Sequence, residues 1–222
     1  MDAVRTPPAS GYQIYSPFLL RYIYDQLILG GNSRFFWGCP PAKLLRHFEK
    51  HVTGNHLDIG VGTGYFLDKA RNVPQTARIC LMDLNPNTLA HCEKRLARYA
   101  PQTLQHDALA PLGEDIAPFS SISLNYVLHC MPGTLLEKKG AIAHHTRHLK
   151  PKGVFFGATI LNEGVSVPFY SKPMLHMALR NGAMNNARDS RADLEAILEE
   201  TFDRWEIEIS GMVALFAGWR AD

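Results

Sequence analysis

From residue 55 onward the chain alternates between short, continuously apolar runs and longer stretches whose apolar positions recur every three or four residues. The short runs are predicted to be strands covered on both faces, and the longer stretches helices packed against them. Strands are expected at residues 56–59, 79–82, 103–106, 119–128 and 154–161, with helices at 65–71, 85–99 and 134–149 between them. A turn at Pro151, Lys152 and Gly153 precedes the fifth strand. Such alternation requires right-handed crossovers, hence an α/β fold with a mostly parallel sheet. After a further helix at 193–202, the runs 205–210 and 212–219 are parted by Gly211 alone, and strands joined so tightly run antiparallel.

The flanks of this rhythm differ from it. Residues 1–11, with Pro7 and Pro8, read as a flexible arm. Residues 12–52 are aromatic and apolar, with one helix at 19–29 stopping at Gly30 and Gly31 and a second from Pro40 and Pro41 to His51. Lying before the sheet, this section either caps the crevice or covers the core. Residues 162–191 are too apolar for a free loop and too long for a plain connection. The expected organisation is one domain over 12–222: the cap at 12–52, a core at 55–161, the insertion at 162–191, then the last helix and hairpin at 192–222.

With 222 residues, 46% hydrophobic and 20% charged, the chain has the composition of an ordinary globule. A net charge of +2 gives no pull toward nucleic acid, and the basic cluster at 138–152 reads as the solvated side of a helix. Four scattered cysteines without Cys-x-x-Cys spacing suit a reduced compartment. No run has membrane-spanning length and no secretory leader is evident, so a cytoplasmic location is expected. His144 and His145 are adjacent and point apart on a helix, so no metal site is expected.

Residues 55–67 read Asn-His-Leu-Asp-Ile-Gly-Val-Gly-Thr-Gly-Tyr-Phe-Leu. Glycine at 60, 62 and 64 lets backbone bend sharply and approach a ligand closely. Counted from Gly60, the third glycine of a dinucleotide fingerprint falls on Tyr65, and no Gly-Lys-Ser or Gly-Lys-Thr follows as a P-loop requires. Asp58 at the loop's mouth would repel phosphate yet hold an ammonium group or a sugar hydroxyl. The bland alternative is a tight turn with no ligand. Asp83 closes the second strand, where a carboxylate can accept both hydroxyls of a ribose or merely cap the helix that begins at Asn85 and Pro86. Asp107 follows the third strand.

The pattern Asp-x-Gly-x-Gly-x-Gly, followed by these strand-end acids, resembles the class I S-adenosylmethionine-dependent methyltransferases from about residue 48 to the C-terminus. The resemblance implies a Rossmann-like three-layer sandwich. Its seven-stranded sheet is mostly parallel, with an antiparallel C-terminal hairpin strand and an N-terminal helical cap. It also implies S-adenosylmethionine as cofactor and S-adenosylhomocysteine as product. Gly60, Gly62 and Gly64 would pass under the methionine part and Asp58 would hold its amino group. Asp83 and Leu84 would meet the ribose, Asp107 and the Ala108 amide the adenine, and Asn125 and Tyr126 the methionine end.

Methyl transfer then needs alignment, exclusion of water and a place for a proton. His129, just past the fourth strand, is the candidate base; its alternative role is to fix the turn at Pro132 and Gly133. Tyr12, Tyr15 and His176 are the substitutes. Tyr12, Tyr15, Trp37, Phe169, Tyr170 and His176 are expected to line the acceptor pocket, although such residues equally make core. After the fourth strand the chain reads Asn125-Tyr126-Val127-Leu128, without the prolines of nucleic-acid amine methylation or a Pro-Cys pair. The expectation is a small, fairly apolar acceptor, such as a phenol of secondary metabolism, and no nucleic-acid partner. The alternatives are a protein or RNA methyltransferase and a cofactor-binding homologue that does not methylate. The sequence does not decide whether the chain forms a homodimer.

Overall fold

The computed structural model describes residues 33–221. The arm at 1–11, the helix expected at 19–29, Tyr12 and Tyr15 lie outside the described residues. Seven strands, β1 (Asn55–Ile59), β2 (Arg78–Asp83), β3 (Gln102–Gln105), β4 (Phe119–Asn125), β5 (Leu149–Ile160), β6 (Arg204–Ser210) and β7 (Val213–Trp219), form one sheet. Their order is β3-β2-β1-β4-β5-β7-β6. β1 to β5 pair in parallel, and β7 runs antiparallel between β5 and β6. The chain walks outward from β1 to β3 and then crosses back to β4. A crevice therefore opens at the carboxyl ends of β1 and β4, the switch point where open sheets of this kind take ligands.

The helices are α1 (Ser33–Phe35), α2 (Pro41–His51), α3 (Tyr65–Lys69), α4 (Pro86–Arg95), α5 (Leu135–Lys138), α6 (Gly140–Thr146), α7 (Lys172–Arg180) and α8 (Arg191–Thr201). Alternation along the strands divides the core between the two faces of the sheet. On one face Phe48 of α2, Leu67 of α3 and Leu89 of α4 cover Ile79, Leu81 and Phe156. On the other, Leu135, Ile142, Leu194 and Leu198 cover Leu57, Ile59, Ile122 and Phe155.

The helices expected at 65–71 and 85–99 end early, at Lys69 and Arg95, the latter followed by a 3-10 turn, Ala97–Tyr99, and three further boundaries depart from expectation for local reasons. The fourth strand ends at Asn125 rather than 128, because Tyr126 turns the chain at φ +60° into a 3-10 turn, Leu128–Cys130. The helix expected at 134–149 is two, α5 started by a Thr134–Glu137 capping box and α6 beginning at Gly140, a residue that weakens a helix interior. Pro151, Lys152 and Gly153 lie within β5 as a bulge: the register jumps from Phe119–Leu149 to Ser121–Val154, with Lys152 at φ +61°.

The insertion folds into a 3-10 turn, Phe169–Ser171, and α7. It is pinned at both ends. Ser171 Oγ donates to the Phe36 carbonyl at 2.5 Å. The Asn185 amide donates to the His129 carbonyl at 2.7 Å, Asn185 Nδ2 to the Cys130 carbonyl at 3.0 Å, and Asn186 Nδ2 to the Ile160 carbonyl at 2.9 Å. Lys138 Nζ and Asp189 Oδ2 form an ion pair at 3.0 Å with both side chains fully buried. No helix among the described residues is long and apolar enough to cross a membrane.

Candidate functional site

The glycine loop joins β1 to α3. Gly60, Gly62 and Gly64 all have positive φ, at +66°, +56° and +74°. A Cβ on Gly60 would lie 2.4 Å from a Val127 methyl, and one on Gly64 would lie 3.1 Å from Leu96 Cδ1. At Gly62 a Cβ would meet nothing within 4 Å among the described residues, so there the loop is open on that side. From α4, Cys92 Sγ donates to the Gly62 carbonyl at 3.1 Å and Arg95 Nη1 to the Thr63 carbonyl at 3.1 Å, which ties down the loop's acceptors.

Two carboxylates lie beside this loop, Asp58 two residues before Gly60 and Asp83 bonded by the Gly62 amide. Asp58, buried near the end of β1, accepts a 2.5 Å hydrogen bond from Ser123 Oγ of β4. Burial pushes its carboxyl up to about 7, against the Ser123 bond and with help from the charge of Asp83. Burial likewise pushes Asp83 up to about 6, against the pull of the Asn85, Gly62 and Leu84 amides. The Asn85 amide donates to Asp83 Oδ1 at 2.9 Å, while Asn85 itself caps α4 through the Asn87 amide at 3.0 Å. Leu84 lies beside them, its carbonyl accepting from Gln105 Nε2 at 3.2 Å.

Asn125, at the end of β4, is buried, and its Nδ2 has no partner among the described residues. The Tyr126 amide donates to the Ala158 carbonyl at 2.7 Å, and its hydroxyl lies 2.8 Å from Ser33 Oγ. Asp107 stands two residues past the end of β3, where its Oδ1 accepts the Leu109 amide at 2.9 Å. The Ala108 carbonyl is bonded to His145 Nε2 at 2.9 Å. The residues flanking the switch point thus offer two under-compensated carboxylates, an unpartnered amide and an open glycine floor. That set suits a ligand carrying a cation and hydroxyl groups, which is the chemistry of S-adenosylmethionine.

The expected acceptor residues are not drawn together in the same way. Trp37 is core: its ring is buried, and its carbonyl accepts the Met212 amide at 2.8 Å beside the hairpin turn. Phe169 is 82% exposed and Tyr170 51%, the two rings meeting edge to face at 5.5 Å instead of enclosing a cavity. His176 is on the exposed side of α7, whereas Leu175 and Ala178 on its other side join the core. His129 is buried; its Nδ1 accepts the Ile160 amide at 3.4 Å, and Tyr126 packs edge-on against its ring. Burial, with the charge of Lys138, pushes its pKa down to about 3.

Several supporting residues were not anticipated, among them Ser123, His56, Arg95 and the Lys138–Asp189 pair. The first two leave a trace in the sequence. His56 and Asp58 in one strand, Ser121 and Ser123 in another, recur at period two inside runs that are otherwise apolar.

A family model described as a methyltransferase domain matches residues 57–155. Demethylluteothin O-methyltransferase of Streptomyces thioluteus is 36% identical over 200 residues, covering 90% of this chain and 87% of that protein. The physcion biosynthesis cluster O-methyltransferase of Aspergillus chevalieri is 36% identical over 216 residues, covering 95% of each chain. Among solved structures, N-methyltransferase NodS from Bradyrhizobium japonicum WM9 with S-adenosyl-L-homocysteine superposes with a TM-score of 0.63 at 17% identity, covering 96% of this chain and 98% of that one. With its sheet order, glycine loop and these near full-length relatives, the chain belongs to the class I S-adenosylmethionine-dependent methyltransferases.

Proposed function

We propose that the protein methylates a hydroxyl group of a small, largely apolar acceptor, of the phenolic kind met in secondary metabolism. The observation that carries this reading is the reach of the similarity. The methyltransferase-domain match stops at residue 155, but the relatives named for O-methylation align over 90–95% of the chain, taking in the flanking segments where an acceptor would be recognised.

S-adenosylmethionine supplies a methyl group already activated on a sulfonium. In our reading Asp58 holds its ammonium group, Asp83 its ribose hydroxyls and Asp107 with the Ala108 amide its adenine. Gly60, Gly62 and Gly64 form the floor, Asn125 and Tyr126 the methionine-end wall. The protein's remaining tasks are to align the acceptor, exclude water and receive a proton. His129 is our candidate for that last task. Its Nδ1 holds the Ile160 amide, so it can receive a proton only as that bond is released, and with burial holding its pKa down to about 3 it takes one only from a strongly acidic donor. A hydroxyl oxygen becomes such a donor as its new bond to carbon forms. The domain division at 12–52, 55–161, 162–191 and 192–222 and an acceptor site shared by the front section and the insertion belong to the same reading, with Tyr12 and Tyr15 as candidate lining.

A panel of phenols, thiols and amines offered with a methyl-labelled donor tests the acceptor class; label appearing in phenols is expected, and label confined to amines or thiols contradicts it. His129→Ala tests the proton acceptor. Full turnover in that variant, with S-adenosylhomocysteine binding intact, rejects His129.

A further inference from the structure

Beneath the glycine loop a line of polar side chains crosses an otherwise apolar layer. His56 pairs with Ser121 and Asp58 with Ser123 across β1 and β4, so all four share one face of the sheet. Ser123 Oγ lies 2.5 Å from Asp58 Oδ1 and 3.2 Å from His56 Nε2. His56 Nδ1 lies 2.8 Å from Ser121 Oγ, which accepts the Thr53 amide at 3.0 Å. Phe48 meets the His56 ring edge-on at 5.6 Å and Phe156 stacks on it at 5.9 Å. His56, Ser121 and Ser123 are fully buried, while Thr53 reaches the surface at the far end of the sheet.

Hydrogen counting gives this line a direction. A carboxylate only accepts, so Ser123 gives its single proton to Asp58. The Ser123 oxygen then accepts from His56 Nε2–H, which leaves Nδ1 as an acceptor for the Ser121 hydroxyl. The Ser121 oxygen takes the Thr53 amide and, at 2.9 Å, the Thr53 hydroxyl. Every donor points toward Asp58, and each bond polarises the next among buried side chains. His56 stays neutral because burial pushes its pKa down to about 3. It therefore acts as a fixed donor, and Asp58 is the group that titrates. The titratable groups facing Asp58 are His56 on its own strand and Asp83 from β2.

We propose that Ser123 and His56 are positioning residues that keep Asp58 an oriented carboxylate, so that cofactor affinity near neutral pH depends on this buried relay. The proposal rests on the assignment of Asp58 to the cofactor's ammonium group. When the relay is weakened, Asp58 gains its proton at higher pH and binds a cation less well below that point. At higher pH the carboxylate is restored and the difference closes.

Calorimetric titration of the full chain with S-adenosylhomocysteine between pH 6 and pH 8 reads this directly. The ligand's own ionisation is common to every variant and cancels in the ratios. For Ser123→Ala, affinity is expected to fall about fivefold or more at pH 6 and to lie within about twofold of wild type at pH 8. His56→Phe keeps the ring contacts but loses the donor and is expected to shift the same way; His56→Gln, which retains an N–H, returns toward wild type. A loss of equal size at both pH values, or no loss, overturns the relay, and a His56→Gln profile matching that of His56→Phe removes His56 from it. Asp58→Asn separates the two readings. If it binds like wild type, the assignment of Asp58 fails; if it binds weakly while Ser123→Ala is unchanged, the relay alone fails.

Discussion

Gly60 and Gly62 share a left-handed backbone but are constrained by different things. At Gly60 an added methyl runs into Val127, so Gly60→Ala is expected to lower the melting temperature by several degrees, from about 2 kcal/mol or more of overlap and backbone strain. At Gly62 the space is open, and Gly62→Ala is expected to cost only about 1 kcal/mol from its positive φ. The same methyl would occupy the space left for ligand, so its S-adenosylhomocysteine affinity falls by about tenfold or more. A thermal shift and a titration on each variant check the pair; normal binding by Gly62→Ala would empty the loop of its role. Asp83→Asn retains an oxygen for the Asn85 amide but loses the charge. Stability is expected to fall by about 1 kcal/mol, because the new NH2 group no longer accepts the Gly62 and Leu84 amides, while affinity falls by about tenfold, the worth of a charge-assisted bond to a hydroxyl.

Among the elements, the insertion depends most on a single interaction. Lys138 of α5 and Asp189 are both fully buried and close on each other at 3.0 Å. Lys138→Met would leave the Asp189 carboxylate buried without its partner, at a cost of about 3–5 kcal/mol, and Lys138→Met with Asp189→Leu is expected to recover much of the loss. Denaturant unfolding of the single and double variants measures both, and additive losses would refute the coupling. This pair was not legible in the sequence, because it joins residues 51 apart through tertiary packing. The strands were legible, since continuous apolar runs bounded by turn residues are a local signal. Boundaries failed where a single backbone angle decides them, as at Tyr126 and Lys152. Gly60, Gly62, Gly64 and Asp58 could be singled out because they cluster in the chain, and Asp83 because it closes an apolar run. The relay below Asp58 could not, because it depends on the register of β1 against β4. The exposure of Phe169, Tyr170 and His176 could not be foreseen, because an apolar composition does not say which side of a short helix meets the core.

At the scale of the whole molecule, buried titratable groups set the response to pH. His51, His56, His129 and His145 are pushed down to about 4, 3, 3 and 4, in each case first by burial. Unfolded, each takes a proton near its ordinary 6.5, so their contribution to stability is complete above that pH and is lost as pH falls toward 4. Asp58 and Asp83 act oppositely: raised to about 7 and 6, they favour the folded state at low pH and withdraw that support as pH rises through those values. Four histidines outweigh two carboxylates, and the ligand-free melting temperature is expected to fall from pH 7 to pH 5; a rise would contradict these protonation states. A cationic ligand keeps both acids ionised, so its stabilising effect is expected to grow with pH over the same interval. The proposed activity sends a methyl group to the oxygen of a small acceptor, and the fate of that methyl group shows it most directly. With isotope-labelled S-adenosylmethionine and a simple phenol, magnetic resonance of the product is expected to place the label in an aryl methyl ether. Label on a ring carbon, or no product from a chain that binds S-adenosylhomocysteine, would contradict methylation of the hydroxyl.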